Sequence, residues 1–321
     1  MPTLKVAFSD GAKAYNPASV RILSLLTKSG HAVESKFADA DLLIYSDFGE
    51  QHWSFRGLKV YITGENMVPD FDQCDLAFSP VEDLHNQRCI RLPYYAQVLP
   101  TMGSLVRGTE WRPQDYVNRP KFCSFVASNP RGSFRNAFFK KLNRIKKIDS
   151  AGRHFNNFGP PVADKLTFLK DYRFNLAFEN SQSTGYVTEK LIEPLLMGCI
   201  PIYWGAPDVT RDFNPACMIN VSDFSNFTAA ADYILQADRD ESLRLRHLSA
   251  SPFHHNILPS VLDDSHLINP IIRLIGSGVK PGPRKYRKRR LREHVYQSPI
   301  SQTLTSLGCR LEGILWRLGC R

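Results

Sequence analysis

The sequence predicts an α/β protein made of two successive doubly wound units, followed by a short basic segment. Three observations predict this class. Short apolar runs typical of buried parallel strands alternate with helical patterns, and this happens twice along the chain. A polar, turn-rich stretch separates the two series, and a Pro, Gly and basic composition replaces them at the end. With 321 residues and 43% hydrophobic residues, the chain is long enough for two domains with well-formed cores.

The first unit is predicted over residues 1–115. Its strand-like runs are Leu4–Phe8, Asp41–Tyr45, Leu58–Thr63 and Asp75–Phe78. Helical spacing covers Pro17–Leu26, and Gly30 stands where a helix would end. Because apolar strands joined by helices or loops favour a parallel sheet covered on both faces, we expect a doubly wound fold here. Residues 103–119 are polar and are predicted to be the crossover to the second unit.

The second unit is predicted over residues 116–279. Its strands are Phe122–Ala127, Tyr172–Phe178 and Ile200–Trp204, and its helices are Ser133–Lys147 with Ser133 as cap, Val187–Met197, Phe227–Gln236 and Glu241–Leu248. Two doubly wound units side by side would form a cleft between the carboxyl ends of their strands. Ligands of such sheets bind outside those ends.

The positive charge of the chain is concentrated in residues 280–321. This segment holds eleven Lys or Arg and two Glu, so nearly all of the net charge of +10 lies there and the body is close to neutral. Leucines at helical spacing from Leu304 to Leu318 predict a basic linker followed by an amphipathic helix. That combination favours an anionic membrane surface. A helix that forms a homodimer and a basic tail without a specific role are the alternatives.

Cysteine usage and hydropathy predict a cytoplasmic protein, and the basic tail predicts its peripheral association with the inner face of the membrane. None of the seven cysteines forms a C-x-x-C pair, and Cys74, Cys123 and Cys199 sit among apolar residues, which favours buried free thiols. The N-terminus lacks the apolar core of a signal peptide, and no run approaches the roughly 20 apolar residues that span a bilayer.

The stretch from Tyr172 to Gly205 carries the chemistry. A strand ends at Phe178, a polar loop follows, and a helix is predicted to begin near Gly185 to Thr188. Free N–H groups at a helix start favour a phosphate. Tyr186, Glu189 and Lys190 are spaced to share one helix face, where Lys190 would neutralise a diphosphate and Glu189 would accept hydrogen bonds from hydroxyls. An ordinary capped surface helix is the alternative, and spacing alone does not decide.

Six segments in and around this stretch form longer motifs: Thr63–Asn66 (TGEN), Phe122–Pro130 (FCSFVASNP), Arg135–Phe138 (RNAF), Phe174–Ser181 (FNLAFENS) with Gly185–Lys190 (GYVTEK), Ile200–Gly205 (IPIYWG) and Asp212–Pro215 (DFNP). Together they resemble the α1,3/4-fucosyltransferases, glycosyltransferase family ten. The resemblance implies the GT-B architecture, two Rossmann-like domains facing across a cleft, with GDP-fucose bound by the C-terminal domain.

The resemblance also implies roles for individual residues. The positions that match the donor-contacting residues of the family are Arg135, Asn180, Tyr186, Glu189 and Lys190. Glu65, just after the strand Leu58–Thr63, matches the proposed general base. Without the resemblance, Arg135 would be interpreted as a solvated side chain. Glu65 would be interpreted as a carboxylate that caps the next turn.

The implied reaction is an inverting transfer of L-fucose from GDP-fucose to an oligosaccharide hydroxyl, O3 or O4 of GlcNAc in a lactosamine-like acceptor. Because a single displacement needs only a base and positive groups that stabilise the departing GDP, no cofactor is expected to be required and a divalent metal is not expected to be essential. The three D-x-D pairs are predicted to be turn or cap residues: Asp39 with Asp41, Asp70 with Asp72, and Asp238 with Asp240.

One departure from the family pattern leaves the donor sugar open. Pro160 and Pro161 follow Gly159, where family members can carry an aromatic residue near the donor. Another GDP-linked sugar is therefore the first alternative. A non-enzymatic membrane- or nucleic-acid-binding protein that uses the basic tail is a remote one, and nucleic acid is disfavoured because the body lacks a basic stripe interleaved with aromatic residues.

Overall fold

A computed structural model describes residues 3–82 and 86–278. The predicted basic linker and amphipathic helix at 280–321 lie outside the described residues. The strands of the described part are β1 (Leu4–Ser9), β2 (Ala32–Glu34), β3 (Leu42–Tyr45), β4 (Leu58–Ile62), β5 (Leu76–Ser79), β6 (Cys89–Arg91), β7 (Lys121–Phe125), β8 (Asp149–Ser150), β9 (Tyr172–Phe178), β10 (Ile200–Trp204) and β11 (Ile219–Asn220). The α-helices are α1 (Ala12–Tyr15), α2 (Pro17–Lys28), α3 (Tyr94–Met102), α4 (Gln114–Val117), α5 (Ser133–Ile145), α6 (Lys165–Leu169), α7 (Glu189–Leu196), α8 (Phe227–Arg239), α9 (Glu241–Ser249) and α10 (Asp264–Gly276).

The strands form two separate parallel sheets, which confirms the predicted pair of α/β units. The first sheet has the order β2-β1-β3-β4-β5-β6 and the second the order β11-β10-β9-β7-β8. Every paired strand in both sheets is parallel. When the second sheet is numbered from its own first strand, it has the order 2-1-3-4-5, the same as the first five strands of the first sheet. The strand order therefore reverses at β1/β3 in one sheet and at β7/β9 in the other, and these points are where doubly wound sheets bind ligands.

The compact units of the described structure are discontinuous in sequence. The first comprises residues 3–102 with Thr184–Tyr186 and 259–278, and the second comprises residues 103–183 and 187–258. The sequence placed residues up to 279 in the second unit. The structure instead packs α10 against α2 of the first unit, where Arg21 Nε donates to Asp264 Oδ1 at 2.9 Å. A helix that returns to an earlier domain leaves no local signal in a pattern of apolar residues.

Aromatic residues dominate the core of the second unit. Phe138 on α5 is fully buried, and its ring centroid lies 5.1 Å from that of Phe178 on β9 and 5.2 Å from that of Phe227 on α8. Six of the seven residues of β9 are buried, as expected of a central parallel strand covered on both faces. This packing fixes the carboxyl end of β9, from which the polar loop of the candidate site departs.

The predicted helix ends hold at some positions and not at others. Gly30, predicted at the end of α2, lies just beyond it with a φ of 73°. The structure adds an N-cap that the sequence analysis did not name, since Asn16 accepts from Ser19 N. The prediction that the Ser133 side chain caps α5 is wrong. Gly132 occupies the cap position with a φ of 111°, and no side chain bonds the free N–H groups there. Glycine takes this left-handed conformation without the steric penalty that other residues incur.

The five cysteines in the described residues are all buried and none forms a disulfide, as predicted for Cys74, Cys123 and Cys199. No α-helix within the described ranges has the length and apolar composition that crossing a bilayer demands.

Candidate active site

Two predicted donor residues meet at the point where the second sheet reverses its strand order. Arg135 is near the start of α5, after β7, and Asn180 follows β9. Arg135 is 2% exposed, and its Nη1 donates to Asn180 Oδ1 at 2.7 Å. Its Nη2 donates to the carbonyl oxygens of Asn129, at 2.5 Å, and of Arg131. Arg135 therefore holds the β7–α5 loop and the β9 loop together, which a solvated arginine would not do.

A buried carboxylate organises the start of α7. Glu179 is fully buried and accepts from Thr188 N at 2.7 Å and from Thr188 Oγ1 at 2.8 Å. Thr188 is the N-cap of α7, and its Oγ1 also receives a hydrogen bond from Lys190 Nζ at 3.1 Å. The Lys190 ammonium lies 3.4 Å from a carboxylate oxygen of Glu179 and 3.4 Å from one of Glu189. One cation is thus held between two carboxylates at a helix N-terminus.

The pKa values of the two carboxylates in this cluster are shifted in opposite directions. Burial raises the pKa of Glu179 above its ordinary value, and the nearby Lys190 charge only partly opposes this. Burial would also raise the pKa of Glu189, but the positive charges of Lys190 and Lys165 outweigh it and hold that pKa below its ordinary value. Burial lowers the pKa of Arg135, and the Glu179 charge opposes that shift. Glu179 therefore interacts electrostatically with Lys190 and Arg135, the two cations that are predicted to bind the sugar donor.

The prediction that Tyr186, Glu189 and Lys190 share one helix face is wrong for Tyr186. The helix begins at Glu189, because Thr188 takes extended backbone angles and caps it. Tyr186 therefore precedes the helix instead of lying one turn back on it. Its side chain is 5% exposed, and Thr184–Tyr186 group with the first unit. There Gly185 has a φ of 78°, and a Cβ added to it would lie 2.1 Å from the Pro80 carbonyl oxygen.

The predicted base, Glu65, has an exposed side chain in a well-fixed turn after β4. Its backbone N–H donates to Thr63 Oγ1 at 3.0 Å, and Thr63 Oγ1 donates to Asp47 Oδ2 at 2.5 Å. Gln97 Nε2 donates to the Thr63 carbonyl at 2.8 Å. A Cβ added to Gly64 would lie 2.2 Å from the ring of Tyr94, so the turn passes too close to this ring for any side chain. These contacts hold the Glu65 backbone at the carboxyl edge of the first sheet.

The D-x-D pairs have structural roles. The predicted turn and cap roles hold for Asp70 and Asp240. They do not hold for Asp238, which lies within α8. Asp41 accepts from Lys5 N, Asp70 accepts from Asp72 N, and Asp240 caps α9. Asp238 forms an ion pair with Arg173 at 2.8 Å. Across residues 3–82 and 86–278, no group of three or more His, Cys, Asp or Glu side chains is arranged to hold a metal ion.

Sequence reasoning missed two side chains of this region. Glu179 lies within the FNLAFENS motif, but a glutamate is usually exposed, so the sequence alone does not signal its burial or its pairing. His154, after β8, has an Nε2 atom without a hydrogen-bond partner among the described residues. Burial and then the charges of Arg135 and Lys140 lower the pKa of His154, so the imidazole is kept neutral beside Arg135. Only the folded loop brings it there.

We expect Glu179→Gln to weaken GDP binding by about 10- to 100-fold while the protein stays folded. The amide can still accept from Thr188 N, but it removes the charge that orients Lys190. Calorimetric titration with GDP measures the affinity, and a melting curve measures the stability. Glu193→Gln is the matched control, since Glu193 is a carboxylate on α7 paired with Lys165. Unchanged GDP affinity in Glu179→Gln would contradict an orienting role.

The raised pKa of Glu179 also predicts the sign of a pH effect. Folding raises this pKa, so the folded state favours the protonated form, and the stabilisation from this group is lost as pH rises through the folded pKa. The difference in Tm between Glu179→Gln and the unsubstituted protein should therefore move in favour of the variant as the pH rises above the ordinary pKa of a glutamate carboxyl. A difference that is independent of pH would contradict the shift.

Comparison with known families gives two adjacent matches on this chain. Residues 6–98 match the model of the alpha-(1,3)-fucosyltransferase FucT N-terminal domain. Residues 117–253 match the model of glycosyltransferase family 10 (fucosyltransferase), C-terminal part. Between them the two matches contain Glu65 and every predicted donor residue.

Several curated proteins are similar in sequence. Alpha-(1,3)-fucosyltransferase FucT of Helicobacter pylori is 36% identical over 226 residues, which is 61% of this chain and 47% of the relative. GDP-fucose protein O-fucosyltransferase 3 of Homo sapiens is 33% identical over 123 residues, 35% of this chain and 26% of the relative. The chain thus spans less than half the length of these relatives.

Solved structures are similar over a larger share. A crystal structure of an alpha1,3-fucosyltransferase with GDP-fucose superposes with a TM-score of 0.70 at 27% identity, and covers 88% of this chain and 93% of the solved one. The corresponding structure with GDP gives a TM-score of 0.71 at 28% identity, with the same coverage. The shared fold therefore extends over both α/β units.

Proposed function

We propose, from the premise that this chain belongs to glycosyltransferase family 10, the fucosyltransferase family, that it transfers L-fucose from GDP-fucose to a hydroxyl of an oligosaccharide. The observation that carries the proposal is the cluster at the second sheet. Arg135 and Asn180 join the loops at the point where the strand order reverses, and Lys190 is held at the N-terminus of α7 by Glu179 and Glu189. Cations and free N–H groups in that place suit the diphosphate of a nucleotide-sugar.

Each predicted donor residue has a role in this proposal. Lys190 exchanges part of its pairing with Glu179 for the diphosphate, and Glu189, held ionised by its neighbouring lysines, accepts from ribose or fucose hydroxyls. Arg135 contributes positive charge and keeps Asn180 in place. Tyr186 contacts the donor from the segment before α7. A solved alpha1,3-fucosyltransferase with bound GDP-fucose and the same fold supports the assignment of this ligand.

Transfer is proposed to invert the anomeric carbon in a single displacement. The acceptor hydroxyl attacks, its proton passes to the Glu65 carboxylate, and the bond from the anomeric carbon to the GDP oxygen breaks. Charge that gathers on the departing GDP is stabilised by Lys190 and Arg135. We propose that no cofactor and no divalent metal are needed, because these side chains supply the positive charge. Activity in the presence of excess EDTA equal to that with added Mg²⁺ or Mn²⁺ would support this.

The acceptor is proposed to be a lactosamine-like glycan fucosylated at O3 or O4 of GlcNAc, in line with the alpha-(1,3)-fucosyltransferases that the chain resembles. The similarity to GDP-fucose protein O-fucosyltransferase 3 makes a protein hydroxyl the second candidate acceptor. The test is incubation with GDP-fucose and both acceptor classes, with product mass, linkage and anomeric configuration as readout. An α-fucosylated lactosamine is expected. A fucosylated peptide with no glycan product would replace the first acceptor by the second.

Another GDP-linked sugar is the main rival for the donor, since Pro160 and Pro161 stand where family members can carry an aromatic residue near the donor. A panel of GDP-fucose, GDP-mannose and further GDP-deoxysugars separates the two. We expect transfer from GDP-fucose alone. Transfer that is faster from another member of the panel would assign the chain to that donor.

We further propose that residues 280–321 bind an anionic membrane surface. Lys and Arg near such a surface contribute up to about 1 kcal/mol each, and an amphipathic helix adds buried apolar area. Deletion of residues 281–321 should abolish pelleting with anionic vesicles and leave catalysis largely intact. Neutral vesicles and a variant with the seven basic residues of 284–292 changed to Gln are the controls. Equal pelleting of the full and shortened chains would refute this role, and a shift from dimer to monomer on deletion would favour a dimer-forming helix.

A further inference from the structure

Two aromatic rings lie exposed at the carboxyl edge of the first sheet. Tyr15 is 65% exposed and Phe48 is 58% exposed. Their ring centroids are 5.0 Å apart and their planes make an angle of 62°, an edge-to-face arrangement. We call these two residues the aromatic pair. Large apolar side chains placed side by side in water mark an interaction site more often than single ones do.

The aromatic pair occupies the point where the first sheet reverses its strand order. Tyr15 ends α1, which follows β1, and Phe48 lies in the loop after β3. Strands β1 and β3 are adjacent and parallel, so both loops leave the same edge of the sheet. In the second sheet the corresponding point carries Arg135 and Asn180. Both sheets therefore present distinctive side chains at the position where doubly wound folds bind ligands.

The aromatic pair packs closely on the backbone of Gly11. Gly11 has a φ of 81°, and a Cβ added to it would lie 2.8 Å from Tyr15 Cδ2 and 2.9 Å from Phe48 Cδ2. Both rings thus rest on a bare stretch of backbone. Phe48 N donates to the Asp10 carbonyl at 3.0 Å, which ties the β3 loop to the β1 loop. Only glycine leaves room for both rings.

A buried polar lock holds these loops in place. Asp10 has a φ of 51°, an unfavourable conformation for a residue with a side chain. Its carboxylate accepts from Gln51 N at 2.8 Å and from His52 N at 3.0 Å, and contacts His52 Nδ1 at 2.6 Å. His52 is fully buried and stacks on Tyr45, with ring centroids 4.2 Å apart. Such strain persists only where surrounding contacts over-determine it, and it is concentrated at functional sites.

A chain of contacts connects the aromatic pair with the proposed base. Asp47 immediately precedes Phe48 and accepts a hydrogen bond from Thr63 Oγ1. Thr63 Oγ1 in turn accepts a hydrogen bond from Glu65 N. A pyranose has a face of C–H groups and a rim of hydroxyls. Aromatic rings suit the face, and an exposed carboxylate such as that of Glu65 suits the rim. The pair therefore has the chemistry of a sugar platform on the same edge as Glu65.

We propose that the aromatic pair of Tyr15 and Phe48 binds a pyranose ring of the acceptor oligosaccharide. The ring lies against the aromatic surface and thereby places a neighbouring sugar hydroxyl at Glu65. This inference rests on the proposed function, and it identifies the residues that would recognise the acceptor. The hydrogen bonds between Asp10 and His52 hold the loops that carry the aromatic pair in position.

The test is acceptor kinetics with N-acetyllactosamine and GDP-fucose. Tyr15→Ala and Phe48→Ala should each raise the acceptor KM about tenfold, because each removes one aromatic contact. The GDP-fucose KM and the affinity for GDP should not change. Tyr15→Phe and Phe48→Tyr keep the aromatic rings, so their acceptor KM should equal that of the unsubstituted protein. Val20→Ala, another exposed apolar residue of the first unit, is the matched control. Melting curves report whether each variant is folded.

The outcomes separate the two proposals. An unchanged acceptor KM in both folded alanine variants, with normal transfer by the unsubstituted protein, would overturn the platform and leave the proposed function intact. A protein that neither binds GDP nor fucosylates any acceptor would overturn the proposed function, and the platform with it. A rise in the GDP-fucose KM equal to the rise in the acceptor KM would also overturn the platform, since it would indicate a general disturbance.

Discussion

Glu65→Gln should reduce kcat by about 10²- to 10⁴-fold, the range typical of the loss of a general base. The amide keeps the size of the side chain but cannot accept the proton of the acceptor hydroxyl. The backbone contacts of Glu65 to Thr63 do not involve the carboxylate, so the turn should stay folded. A transfer assay with saturating GDP-fucose and N-acetyllactosamine measures the effect.

The matched control for this variant is Glu34→Gln, another carboxylate of the first unit with a half-exposed side chain. GDP affinity should be the same in both variants and in the unsubstituted protein, because the base is not proposed to contact the nucleotide. Unchanged turnover in Glu65→Gln would rule the residue out as the base. Loss of both turnover and GDP affinity would instead indicate damage to the fold.

Lys190→Ala should lower kcat/KM for GDP-fucose by about 10²- to 10³-fold, comparable to the removal of one donor that stabilises developing negative charge. The substitution removes the cation nearest the N-terminus of α7 and leaves Glu179 buried without its ammonium partner. Lys190→Arg keeps the charge and should retain a larger share of activity. Initial rates over a range of GDP-fucose concentrations provide the measurement.

Lys170→Ala is the control, since Lys170 is an exposed lysine of the same unit at the end of α6. The acceptor KM should be unaffected by either lysine substitution. An effect of Lys190→Ala on the acceptor KM alone would remove this residue from the donor site. An effect no larger than that of Lys170→Ala would remove it from the mechanism.

Much of the fold could be predicted because its signals are local. The strands Tyr172–Phe178 and Ile200–Trp204 have their predicted bounds, since short runs rich in apolar residues between turn residues leave little choice of strand limits. The two-unit organisation followed from the repeated alternation of strands and helices. The starts of two helices were predicted wrongly. Their N-caps are Gly132 and Thr188, and in each case the backbone conformation of a single residue decides where the helix begins.

The candidate site was predicted from motifs, but not its connections. The bond from Arg135 to Asn180 joins residues 45 positions apart, and the order of strands β7 and β9 brings them together. The role of Glu179 depends on its complete burial, which a single acidic letter after a strand does not disclose. The aromatic pair was not foreseen either, because Tyr15 and Phe48 belong to unrelated patterns in sequence.

The measurement that tests the central claim most directly is calorimetric titration of GDP into the unsubstituted chain and into Arg135→Ala, Lys190→Ala and Glu65→Gln. The proposed donor site predicts saturable binding to the unsubstituted chain, retention of that binding in Glu65→Gln, and its loss in the other two folded variants. Absence of GDP binding in the unsubstituted chain, or equal binding in all four proteins, would contradict a donor site built on Arg135 and Lys190.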